Sequence, residues 1–113
     1  MSRLPTTPDA FDAVAEPHRR QILSLLARGE MSVNDLVGRV RMSQPLASKH
    51  LRVLRDGGLV RVRKSGKQRL YTLNGGGLKD IHDWVSTFES LWTESFDRLD
   101  EYLAEEQQKQ GRL

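Results

Sequence analysis

Start and stop signals cut the middle of this chain into short pieces. Gly29 closes one apolar run. Ser32 with Asp35 opens the next as a capping box in "SVND", Ser43 opens another, and Gly57 with Gly58 ends it. Gly66 lies in "KSGK", residues 64–67, and "NGGG", residues 74–77, interrupts the pattern once more. No piece between these marks has room for more than a helix of a few turns or a short strand. They predict a cluster of short helices followed by a hairpin.

The apolar periodicity fills these pieces in. Thr7 followed by Pro8 and Asp9 reads as a helix start, with Ala10, Phe11 and Val14 as its apolar stripe. Pro17 starts a second helix carrying Ile22, Leu23, Leu25 and Leu26, and a third turns Val33, Leu36, Val37 and Val40 inward. "RVRM", residues 39–42, is a short connection to a fourth helix that tolerates Pro45 in its first turn. "LVRVR", residues 59–63, alternates, with Leu59, Arg61 and Arg63 on one side and Val60 and Val62 on the other. With "QRLYTL", residues 68–73, it makes a two-stranded hairpin. "NGGG" reads as a hinge before one long last helix. The expected fold is mostly α with a small β-hairpin, a winged helix-turn-helix with a long C-terminal dimerisation helix. A chain of 113 residues implies a single domain over 1–113. Within it, 16–74 form the DNA-binding core and wing, and 7–15 and 77–105 the dimerisation helices.

Charge is unevenly spread over this plan. Residues 1–74 hold 14 Lys and Arg against 6 Asp and Glu, whereas residues 75–113 hold 4 against 9. Residues 41–69 carry 9 basic residues and one acid, Asp56. That excess points to a polyanion as partner of the middle of the chain. On a helical wheel of the fourth helix, Leu46, Ala47, Leu51, Val53 and Leu54 fall on one side. Gln44, Ser48, Lys49, Arg52, Arg55 and Asp56 fall on the other. Gln suits adenine, Arg suits guanine, and Ser suits bases or phosphates, so the second side fits a major groove. Arg63, Lys64, Lys67 and Arg69 cluster round the hairpin turn, where they would neutralise phosphates. His50 falls on the apolar side of the wheel and is read as a packing residue.

Leu78, Ile81, Val85, Phe88, Trp92, Leu99 and Tyr102 follow a near three-four spacing, with Trp84, Leu91, Phe96 and Leu103 on the flanks. So long an apolar stripe exceeds what a small core covers, and a second copy of the chain is the expected cover. Phe11, Val14, Leu78, Ile81, Val85, Phe88, Trp92 and Leu99 are the residues assigned to that contact. Packing on the first helix of the same chain is the competing role.

"EPHRRQIL", "SQPLASKHLRVLRDGGLV" and "GKQRLYTL", within residues 16–74, closely resemble the arsenical-resistance-repressor (ArsR) family of transcription regulators. The resemblance implies a homodimeric winged helix-turn-helix that binds double-stranded operator DNA and usually represses. It places the start of the recognition helix at Ser43, and Gln44, Ser48 and Lys49 where family members reach DNA. Arg52 joins them through the wheel, and "SGK" occupies the wing position. The metal-sensing members use paired cysteines on the third helix, and this chain has no cysteine. A second type of site uses D-x-H at the start of the last helix. Asp80 and His82 match it, but the later positions fall near Thr93 and Phe96, which cannot complete a four-coordinate zinc site. No metal, cofactor or catalytic residue is therefore expected. The histidines, His18, His50 and His82, have no nucleophile arranged beside them, and "NGGG" lacks the spacing of a phosphate loop. A winged-helix module for protein–protein contact and, less strongly, a metal-responsive repressor remain as alternatives. An effector, if one acts, is a small molecule or a protein. Lacking an apolar leader or span, the chain reads as cytoplasmic with no membrane partner.

Overall fold

The computed structural model describes residues 9–111. Helix α1, Ala10–Val14, opens on a capping box: Asp9 Oδ1 accepts from the Asp12 amide at 2.9 Å, and Asp12 accepts in return from the Asp9 amide. Asp9 is thus the cap; Thr7 and Pro8 lie outside the described residues. α2, Pro17–Leu26, is capped by the Glu16 carboxylate, with proline in the first turn as expected. α3, Val33–Val40, carries the Ser32–Asp35 capping box and ends on Arg41 at φ 51°. α4, Gln44–Asp56, is capped by Ser43, whose Oγ accepts from the Leu46 amide.

Gly58, at φ 78°, closes α4 in a Schellman turn: its own amide donates to the Arg55 carbonyl and the Leu59 amide to the Leu54 carbonyl. That turn drives Leu59 wholly into the core. Leu59 therefore does not share a side with Arg61 and Arg63; it ends the turn, and the alternation begins one residue later.

The hairpin is β2, Val60–Ser65, and β3, Gln68–Leu73. Its loop is only Gly66–Lys67, with Gly66 at φ 64° in the first central position of a primed turn. A two-residue strand β1, Met31–Ser32, pairs antiparallel with β3, so the sheet has three strands in the order β1-β3-β2 and is not a bare hairpin. Two residues carry no periodicity, and Ser32 also serves as a helix cap, which hid the strand in the sequence.

Ile22, Leu36, Leu51, Leu54 and Leu59 are fully buried, and Tyr71 and Val60 join them from the sheet. α4 lies at the centre of this core with Ala47, Leu51 and Leu54 inward. Leu46 departs from its wheel assignment: it is exposed, at the first turn of α4.

The C-terminal stretch is two helices where one was expected: α5, Gly75–Ser86, and α6, Glu89–Gly111. Between them the Thr87 hydroxyl donates to the Trp84 carbonyl at 2.7 Å, and the Thr87 and Phe88 amides bond three residues back, tightening the chain out of the α pattern. The chain divides into two compact units, up to Ile81 and from His82. "NGGG" is no hinge: Gly75–Gly77 form the first turn of α5, and Asn74 accepts from the Gly76 amide as its cap. Gly77 is required by space, since a Cβ there would stand 2.3 Å from the Gly58 carbonyl oxygen. Gly77→Ala is expected to cost about 1–3 kcal/mol of stability through overpacking. Gly75→Ala, with nothing within 4 Å, should stay within about 0.5 kcal/mol in the same denaturant titration.

Candidate nucleic-acid interface

The turn between α3 and α4 is three residues, Arg41–Ser43, and it begins with Arg41 in the left-handed region at φ 51°. It leaves the outer face of α4 open. Gln44, Ser48, Lys49, Arg52 and Arg55 are all exposed there, while Leu51 and Leu54 are fully buried and Leu51 floors the groove that these side chains border. A concave groove runs between this face and the hairpin. Gln44, Ser48, Arg52 and Arg55 line one wall, and Lys67, Gln68, Arg69 and Tyr71 line the other. The N-terminus of α3 contributes Ser32, Val33 and Asn34.

Five of the residues assigned from sequence to DNA, Gln44, Ser48, Arg52, Lys67 and Arg69, thus meet in one groove. Ser43 instead spends its hydroxyl capping α4. Lys49 is exposed on the flank of the helix and is not a groove residue. Lys64 pairs with Arg69 across the hairpin, two cations directly opposite each other, an arrangement that repels unless an anion sits over it. Among the described residues no carboxylate pairs with Arg52, Lys64, Lys67 or Arg69.

Arg63 is placed differently. Strand alternation puts it on the sheet face opposite Lys64 and Tyr71. There its Nε and Nη2 grip the Glu30 carboxylate at 2.7 and 2.8 Å, a bidentate pair. The bond from Arg63 holds the Glu30 carboxyl below its ordinary range, and Glu30 holds the guanidinium proton more tightly. Asn34, Arg55 and Gln68 are among the further groove residues that were not assigned from sequence. Arg55 was legible on the wheel; Asn34 and Gln68 are brought in by the packing of α3 and the hairpin turn.

Behind α4 the half-buried His50 faces α2. Arg19 Nη1 donates to its Nδ1 at 3.4 Å, and Glu16 Oε2 lies 3.9 Å from its Nε2. Burial pulls the His50 pKa down, against the opposing pull of Glu16. This agrees with its reading as a packing residue.

Of the residues assigned to dimerisation, Val14, Leu78 and Ile81 are half-buried against the protein's own core. Phe11, Phe88, Trp92 and Leu99 are exposed, and Val85 is half-buried.

A helix pair joined by a three-residue turn, its second helix facing outward beside a cationic two-stranded flap, defines a winged helix-turn-helix protein. Residues 16–62 match the family model described as bacterial regulatory protein, arsR family. The transcriptional repressor SdpR of Bacillus subtilis is 32% identical over 80 residues, 71% of this chain and 89% of that protein. The transcriptional activator HlyU of Vibrio cholerae is 42% identical over 67 residues, 59% of this chain and 62% of that protein. The solution structure of the homodimeric winged helix-turn-helix DNA-binding domain Mb0332 of Mycobacterium bovis, a possible ArsR-family transcriptional regulator, superposes with a TM-score of 0.60. It is 32% identical and covers 72% of this chain and 75% of that one. The chain belongs to the arsR family of bacterial regulatory proteins and is a transcriptional regulator, not an enzyme. Among the described residues no helix is long and apolar enough to cross a membrane.

Proposed function

We propose that this regulator works as a homodimer that represses transcription by covering an inverted-repeat operator. α4 reads base edges in the major groove, and the β2–β3 wing holds the neighbouring backbone. The observation that carries this reading is the groove itself. It brings an amide and a hydroxyl, Gln44 and Ser48, together with guanidinium and ammonium groups from both walls. Base-reading groups beside phosphate-neutralising cations are the division of labour that sequence-specific DNA binding requires.

Footprinting on duplex from the protein's own upstream region tests it. The expected result is protection of an imperfect inverted repeat with half-sites about 34 Å apart, one turn of duplex. Gln44→Ala with Ser48→Ala should erase about 1–3 kcal/mol of discrimination at each base pair it no longer reads, while leaving non-specific binding in place. Unchanged selectivity in that variant would show that α4 does not read bases. The likeness to an activator, HlyU, supports a second reading in which the bound protein promotes transcription. A reporter behind the operator separates the two: deleting the protein raises expression for a repressor and lowers it for an activator.

A further inference from the structure

We propose that Glu16, His18 and His50 form a binding site for a divalent transition-metal ion, joining the first turn of α2 to the back of the recognition helix. One ligand atom from each of the three lies within 4.8 Å of the others. The Glu16 carboxylate is at the centre: Oε1 is 2.7 Å from His18 Nδ1, and Oε2 is 3.9 Å from His50 Nε2. The two imidazoles stand nearly parallel, 14° between planes and 6.0 Å between centroids, so their nitrogens converge on the same carboxylate.

The backbone prepares this convergence. Glu16 is the cap of α2, and its Oε2 already accepts from the Arg19 amide at 3.0 Å, which fixes the carboxylate. Pro17 sets the path from cap to first turn and so the position of His18. His50 is held by the packing of α4. His18, with its side chain more than half exposed, is the one ligand free to swing, and it opens the site to solvent. A tetrahedral ion with ligands at about 2.0–2.1 Å needs them about 3.3 Å apart. Coordination therefore requires His18 to rotate and the Glu16 carboxylate to adjust on its cap, with solvent in the fourth position.

Two imidazoles and one carboxylate select zinc, cobalt, nickel or copper over calcium or magnesium. Arg19 opposes the ion. Its guanidinium is tied to the Ala13 carbonyl at 2.8 Å and the Asp12 carbonyl at 3.2 Å, and its contact with His50 Nδ1 must be given up when Nε2 binds metal. The site is therefore one of moderate affinity. Burial disfavours the protonated form of His50, and the neutral imidazole is the form that ligates. The site shares no residue with the Asp80–His82 pair.

Titration of the purified full chain with Co²⁺, followed by visible absorption, tests the assignment. The expected result is one ion per chain, with the d–d bands of a four- or five-coordinate centre. His18→Ala, at an exposed position, should keep the melting temperature and weaken Co²⁺ by about 100-fold, no less than the loss of a residue supporting a ligand. His82→Ala should bind as the parent does. Absence of the bands in the parent, parent-like binding by His18→Ala, or loss of binding in His82→Ala would each overturn the proposal.

Discussion

Lys67→Ala combined with Arg69→Ala is expected to weaken binding to every duplex about equally, by roughly 10²–10³-fold near physiological salt. Both side chains stand on the wing wall of the groove, and neither is neutralised by a carboxylate among the described residues. Each occurs twice in a dimer, so the pair removes four phosphate contacts. The slope of log affinity against log salt should flatten by about 3.6, at about 0.9 per contact. The fold should tolerate the change, because both residues are exposed and removing Arg69 relieves its repulsion from Lys64. Arg63→Ala supplies the contrast: its guanidinium is committed to Glu30 on the other sheet face, and the salt slope should hardly move. Filter binding over a salt series reads all three proteins. A slope unchanged in the double variant would mean that the wing does not touch the backbone.

The features legible in the sequence are those fixed by neighbours along the chain. Ser32 with Asp35, Ser43 and the Gly57–Gly58 stop act within three or four residues, and the helices they bound stand where expected. The two sides of α4 were legible because a helix repeats its contacts every turn, with Leu46 the exception at the uncovered first turn. What escaped depends on residues far apart. β1 exists only because β3 lies beside it. Gly77 is set by the Gly58 carbonyl from another turn, so three consecutive glycines looked like a break where one of them makes a close approach. Arg63 looked like one more wing cation because strand alternation alone does not reveal that Glu30, 33 positions earlier, waits on its face. Asn34 and Gln68 entered the groove, and Glu16 met His50, for the same reason.

Trp92→Glu combined with Leu99→Glu is expected to leave a monomer and to cost about 10²–10⁴-fold in operator affinity, the advantage of engaging two half-sites together. α6 runs 23 residues, about 34 Å. Trp92, Phe96, Leu99 and Leu103 recur on it at steps of four, three and four, with Leu91 and Tyr102 beside them, all more than 40% exposed. Glu94, Asp97, Arg98, Glu101 and Glu105 hold the other side, where Arg98 pairs with Glu94 at 3.4 Å. A ridge of large apolar side chains backed by charge is built to meet another surface. The acidic backing disfavours DNA as that surface, and a second copy, ridge against ridge, supplies the match by symmetry. Two carboxylates in the centre of that contact would be buried without partners in both copies, a cost that apolar packing does not offset. The buried core of Ile22, Leu36, Leu51 and Leu54 lies wholly outside α6, so the winged fold should survive. Sedimentation equilibrium then reads the assembly state and gel shift reads the affinity. A variant that sediments as a dimer would show that α6 does not join the two copies, and a monomer that binds the full operator as tightly as the parent would show that joining them adds nothing to affinity.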